Sequence, residues 1–300
     1  MAKKTSIGTW AYSVGPYENN PVPFDDVISK LKALGFDGLE LGAFPPHPNP
    51  DTLTDEASRA EVRSKMADAG LEFSGLAPNL WMHKIVDTDD LKPYYDELDK
   101  NIKFAKDLGI TMFRVDSLDE PDVVEKVGAE KTLDKVVSVF KEVAKRCGDE
   151  GLTVCWEFEP GFCMNKPSEI LQVVEQVDAP NFGVLYDTCH ANMVAKVGSR
   201  QPGEKETLPG GALELLEKLK GKITHVHLID SDDTLHHDET SSHPPFGEGN
   251  LDFDALMPPI MDCGLKHDWW VVDLCFWPGA WEATEKCKKF LDEQRVKYGQ

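Results

Sequence analysis

No apolar run in the 300-residue sequence approaches the ~18–20 residues needed to cross a bilayer. The opening stretch MAKKTSIGTW is too short and too polar to read as a secretory leader. CxxC pairs are absent, and the seven cysteines, an odd number, stand singly. That pattern argues against a disulfide framework and for a reducing compartment, so a cytoplasmic location is expected. Basic side chains are scarce: 32 Lys and Arg against 53 Asp and Glu leave a formal net charge of −21. Such a surface repels phosphate backbones and anionic lipid, so neither nucleic acid nor membrane is expected as a partner. No lysine stands at the carboxyl end of a β-rich run, which removes a Schiff-base aldolase.

What the chain does have is a hydrophobic content of 41 %, enough for a large core, and a regular alternation of short β-rich runs with longer segments of helical period. The runs are Ser6–Trp10, Gly38–Leu41, Glu72–Gly75, Met112–Val115, Thr153–Glu157, Phe182–Tyr186, Ile223–Leu228 and Trp269–Leu274. Amphipathic segments follow each, several ending at a glycine that stops a helix: Phe24–Leu34 before Gly35, Glu56–Ala69 before Gly70 with Asp55 as N-cap, Pro93–Leu108 before Gly109. Eight βα units fill residues 1–300 without a linker, which predicts a single-domain (β/α)8 barrel. A doubly wound open sheet is the competing architecture. The connections after helices are short and those after strands long, notably Leu41–Asp55, Asp187–Gly210 and Ile229–Leu251, so the working face is expected at the carboxyl ends of the strands.

Four consecutive strands end in groups that bind or titrate: Glu157 in WEFEP, Asp187 in YDTCH, His227 in HVHLID and Asp273 in VVDLC. Each alone has an ordinary structural explanation, as a cap, a turn former or one His of an in–out pair. Four in a row at equivalent barrel positions point to a shared ion. Three carboxylates and one imidazole form a hard, oxygen-rich set that suits one divalent metal, Mn²⁺ first, with Mg²⁺, Co²⁺ and Zn²⁺ also fitting. Buried together without a cation, the carboxylates would repel one another and be costly to desolvate.

Over nearly its whole length the sequence resembles the xylose isomerase-like barrel superfamily, the sugar phosphate isomerase/epimerase group. The resemblance rests on GFDGLEL at 35–41, WEFEP around Glu157, YDTCHAN at 186–192, HVHLID at 225–230 and PPFGEGNLDFDAL at 244–256. It implies Glu157, Asp187 and His227 as metal ligands, His190 reaching a substrate and Glu40 facing the site. At the end of the eighth strand the family usually carries Glu; this chain has Asp273, one methylene shorter. The resemblance implies enediolate chemistry on a ketose or keto-sugar, with Glu157 and Asp273 moving the proton and His190 and Arg114 holding hydroxyls. Glu40, Glu159, Asp230 and Trp10 complete the expected substrate contacts, with Tyr12 and Trp81 as further candidate stacking faces. His236, His237 and His243 lie on a loop that either lines the pocket or is plain surface.

A second outcome of the same carbanion is β-elimination, as in the inosose dehydratases of the superfamily or in lyases acting on 3-keto-glycosides. A non-catalytic sugar-binding barrel is a third reading. An endonuclease of this superfamily assembles three metals with many more histidines than the nine present here. A small-molecule sugar or cyclitol is the expected partner, and association into a homo-oligomer is compatible with the sequence.

Overall fold

The structure, a computed structural model, describes residues 3–298; the outermost two residues at each end of the expected 1–300 domain lie outside the described residues. Eight parallel strands form the barrel, here β1 (Lys4–Ile7), β2 (Gly38–Ala43), β3 (Glu72–Pro78), β4 (Met112–Val115), β5 (Thr153–Glu157), β6 (Phe182–Asp187), β7 (Ile223–Leu228) and β8 (Trp269–Val272). From β2 to β8 each strand pairs with its sequence neighbour, and β8 pairs back to β1. A parallel bridge between Gly8 and Glu40 joins β1 to β2 and closes the ring. Helices separate the strands and cover the outside, which gives a single-domain (β/α)8 barrel and not an open doubly wound sheet.

Helix ends follow local chemistry. Gly35, Gly70 and Gly109 take left-handed conformations after their helices, where a Cβ would be strained. Asp55 accepts the Ser58 backbone N–H and caps the helix Glu56–Ala69. The first strand is shorter than its apolar run: Thr9–Tyr12 forms one tight helical turn, so Trp10 sits on a turn above the barrel. The long connections carry structure of their own, a helix from Thr188 to Asn192 after β6 and a two-stranded hairpin, Leu235–His236 with Thr240–Ser241, after β7. Among the described residues no helix is long and apolar enough to cross a membrane.

The period of two along each strand separates two cores. Val154, Trp156, Val184, Tyr186, Val226, Leu228, Trp270 and Val272 belong to the large cluster under the helices. The alternate residues face the barrel axis, where Met112, Cys155 and Leu185 form their own small cluster. Two residues further along the same strands stand Arg114, Glu157 and Asp187, and the same alternation brings His227 and Asp273 to this level.

Candidate metal centre

Glu157, Asp187, His227 and Asp273 each offer a ligand atom, and these four atoms lie within 4.8 Å of one another. His227 Nδ1 is 3.1 Å from Glu157 Oε1, 3.4 Å from Asp273 Oδ2 and 3.9 Å from Asp187 Oδ2. Two ligands about 2.1 Å from one ion stand about 3.0–3.4 Å apart at adjacent positions, so these spacings suit a shared cation. All four residues are at most 2 % exposed. Both Glu157 oxygens, Asp187 Oδ2 and His227 Nδ1 are buried without a well-angled hydrogen bond. Buried polar atoms are otherwise nearly always paired; apart from the Arg114 ion pair at Glu157 Oε2, these atoms face one another around a small space, the arrangement a cation would satisfy.

The layer beneath sets the orientation of the imidazole. Glu40 Oε2 accepts from His225 Nε2 at 2.7 Å and from His227 Nε2 at 3.3 Å. A carboxylate oxygen only accepts, so Nε2 of His227 carries a proton and Nδ1 faces the carboxylates, its lone pair free for a ligand once the second proton leaves. His225 is fixed in turn: its Nδ1 lies 3.1 Å from Nε2 of His267, whose Nδ1 accepts the Trp269 backbone N–H. Burial opposes charge on Glu40, yet His225 and His227 outweigh it and hold its carboxyl well below the usual range.

The charges above explain one another. Burial, then the charges of Asp273 and Glu157, push the Asp187 carboxyl well up. Burial also opposes ionisation of Glu157, but Arg114, which ion-pairs with Glu157 Oε2, and His227 bring it down. Burial likewise disfavours a charge on Asp273; His243, His227 and the Trp10 indole prevail and lower it. For His227 burial acts against the proton, while Glu40, Asp273 and Glu157 draw it on, so the imidazole is raised well above its ordinary value. Asp187 and His227 thus each hold a proton in a space that has three acids, and a divalent cation would displace them.

The ring opens into a cavity of about 1090 Å³ lined by Trp10, Arg114, Glu157, Glu159, His190, His243 and Asp273 at its inner end. Trp10 Nε1 donates to Asp273 Oδ1 at 2.8 Å, and the Cys275 backbone N–H reaches the same oxygen. Asp273 therefore has one oxygen tied down and one facing the centre, which is how the shorter side chain still reaches it. Arg114 is also held by Asp116, to which Trp81 Nε1 donates. His190 Nδ1 is hydrogen-bonded to the Ser241 hydroxyl at 2.8 Å. Burial and the neighbouring His243 lower His190 to about 3, so the ring is neutral. Glu159 moves the other way: burial and the Glu157 charge raise it to about 8 against a hydrogen bond from Thr240.

Two expected substrate contacts are placed elsewhere. Glu40 is 1 % exposed beneath the ring, engaged with two histidines, and does not line the cavity. Asp230 accepts the backbone N–H groups of Ser231, Gly247, Gly249 and Leu251, so it staples the loop before the helix Phe253–Met261. In both cases the side chain found buried hydrogen-bond donors, a competition that strand position does not reveal. His243, in contrast, is buried at the inner end with neither ring nitrogen bonded, packed edge to face on His190. Asp116, at the end of β4 in RVDS, was the acid that strand-end reasoning passed over.

A family model described as "Xylose isomerase-like TIM barrel" matches residues 28–284. The chain is 23 % identical over 274 residues to the inosose dehydratase of Erwinia tasmaniensis, covering 83 % of this chain and 82 % of that protein. It is 27 % identical over 135 residues to the uncharacterized protein MJ1311 of Methanocaldococcus jannaschii, a match spanning 44 % of this chain and 40 % of the relative's length. Among solved structures it is similar to the IOLI protein with a binding zinc atom, at TM-score 0.74 and 18 % identity over 98 % of this chain and 99 % of that one. It is also similar to a D-tagatose 3-epimerase-like protein, at TM-score 0.71 and 19 % identity, covering 98 % and 99 %. At these identities the structural likeness is one of fold.

Proposed function

The chain belongs to the xylose isomerase-like TIM barrel family, and from that premise we propose that it is a divalent-metal-dependent sugar isomerase or epimerase acting on a ketose or keto-sugar by proton transfer through an enediolate. The observation that carries this reading is the convergence of buried ligand atoms from Glu157, Asp187, His227 and Asp273, all within 4.8 Å of one another, at the floor of an open cavity. Mn²⁺ is the ion proposed for this oxygen-rich set. When bound, the ion supplies positive charge beside the carbonyl and hydroxyl oxygens of the substrate.

The residues divide the remaining work. Glu157 takes the proton from the carbon next to the carbonyl, its carboxylate kept ionised by Arg114. Asp273, held rigid by Trp10 and the Cys275 amide and itself ionised, faces the same space and relays to the other side a proton drawn from the solvent in the open cavity. Neutral His190, anchored by Ser241, offers Nε2 to a substrate hydroxyl. Arg114 contributes N–H groups while remaining locked to Asp116.

A second reading, β-elimination from an inosose or keto-glycoside, is favoured by Glu159. Its carboxyl lines the cavity and, raised to about 8, stays protonated at neutral pH. A base removes the C–H proton, the electron pair forms the C=C bond as the β C–O bond breaks, and the departing oxygen takes the Glu159 proton. The similarity to an inosose dehydratase over 83 % of this chain supports the same alternative.

Incubation with keto-sugars and inososes in heavy water separates the readings. Deuterium in a recovered isomeric sugar supports epimerisation, and loss of water or aglycone supports elimination. Stoichiometric metal binding with no exchange in either class favours a non-catalytic sugar-binding barrel and overturns the enzyme proposal.

A further inference from the structure

The cavity is larger than its inner end requires. At about 1090 Å³ it exceeds the roughly 300–1,000 Å³ that encloses a drug-sized ligand, and it is several times the size of a single sugar ring. Loops after all eight strands contribute to its wall, and the outer part is rich in rings. His236 stacks on Phe276 with centroids 4.7 Å apart and planes 7° apart, and on His237 at 4.0 Å. Trp81, 37 % exposed, packs against Phe44 nearby.

Backbone geometry marks the same wall. Leu118, Arg200, His237 and Phe276 all have positive φ, between 50° and 61°, and all line the cavity. Bulky residues rarely adopt this conformation, and it recurs where a chain is bent to hold side chains around a ligand. At Phe276 the bend is matched by Gly15, where an added Cβ would stand 2.5 Å from the Phe276 ring.

The charge of the wall narrows the occupant. Lys84 Nζ donates to the Leu118 carbonyl at 2.7 Å. Arg200 donates to the Glu239 carbonyl at 3.0 Å and faces Glu120. Both cations thus have protein acceptors, and Glu18, Glu120 and Glu239 stand around them. Three acids against two cations leave the outer wall net negative, which disfavours a phosphate on the sugar.

We propose that the outer part of the cavity is a subsite for a neutral ring carried by the reacting sugar, an aryl or glycosyl group of a glycoside, held by stacking on the Phe276–His236 platform and Trp81. This rests on the sugar-chemistry reading of the inner site for what is attached to the ring, but binding needs no turnover.

The test is calorimetric titration of the protein, supplied with Mn²⁺, using 4-nitrophenyl β-D-glucopyranoside, glucose and glucose 6-phosphate. The aryl glucoside is expected to bind about tenfold tighter than glucose, and the phosphate no tighter than glucose. Phe276→Ala is expected to erase the aryl preference while leaving metal binding intact. His236→Ala, on the surface hairpin, provides the same readout should Phe276→Ala fold poorly. Equal retention of aryl glucoside and glucose, the absence of binding by all three probes, or tighter binding of the phosphate overturns the proposal. Failure of deuterium exchange with the aryl preference intact overturns the inner-site chemistry instead and leaves the subsite standing.

Discussion

Glu40 and His227 meet in the barrel interior, with His227 Nε2 donating to Glu40 Oε2 at 3.3 Å, and this contact decides which face of the imidazole the carboxylates see. Glu40→Gln keeps the volume and offers an amide whose orientation is not constrained to accept. Metal affinity is therefore expected to fall by about 10–100-fold. Competitive titration against a chelating dye measures it, and an unchanged affinity would sink the orienting role.

Asp187 is the member of the ring that burial and its neighbours push well up. Asp187→Asn removes a ligand and also relieves the crowding of acids. In chelator-treated protein it is expected to leave the melting temperature unchanged or higher. Added Mn²⁺ is expected to raise the melting temperature of the parent and not that of the variant, since a ligand stabilises only the state that binds it. Equal upward shifts for both would count against Asp187 as a ligand.

Metal binding is expected to release protons. His227 is raised well above its usual value and Asp187 likewise, so each holds a proton that the ion would displace. Affinity then rises with pH until both groups are deprotonated in the free protein. Titration calorimetry in two buffers of different ionisation enthalpy reads the released protons directly. A pH-independent affinity contradicts the assignment.

Glu159 gives a stability prediction of definite sign. Its folded pKa of about 8 lies above the usual 4.5, so its contribution is present below that lower value and is lost as pH rises through the upper one. Glu159→Gln, which cannot ionise, is expected to gain on the parent in metal-free denaturant unfolding as pH is raised across this window. A constant difference between the two proteins at both ends would show that Glu159 does not hold its proton.

His243 lines the cavity with both ring nitrogens unbonded, yet lies outside the four-atom ring. His243→Ala is expected to leave metal affinity unchanged and to raise the KM for an active keto-sugar roughly three- to tenfold, the loss of one hydrogen bond. A fall in metal affinity instead would make it a ligand.

The fold was legible because its signals are local. Glycines at 35, 70 and 109 stop helices by conformation, and the β-rich runs at Met112–Val115, Thr153–Glu157 and Ile223–Leu228 have the strand limits seen in the structure. The four strand-end residues were legible as a group because a parallel barrel puts equivalent positions at one level, and the structure brings them together. Glu40 and Asp230 were misplaced as substrate contacts because strand position says only that a side chain faces inward or caps a strand. It does not say whether histidines below or loop amides above will claim its oxygens. The hairpin that carries His236 and leads to His243 has no periodicity to read, so its course depends on tertiary contacts alone.

The bridge between Gly8 and Glu40 closes the barrel at the same residue whose side chain orients His227. Ring closure and the orientation of His227 therefore depend on the same residue. A chain with its seam still open would leave His227 free to rotate and Glu40 without its partners. Such an intermediate is not expected to capture the ion tightly, so metal uptake would follow the last step of folding and could serve to report it.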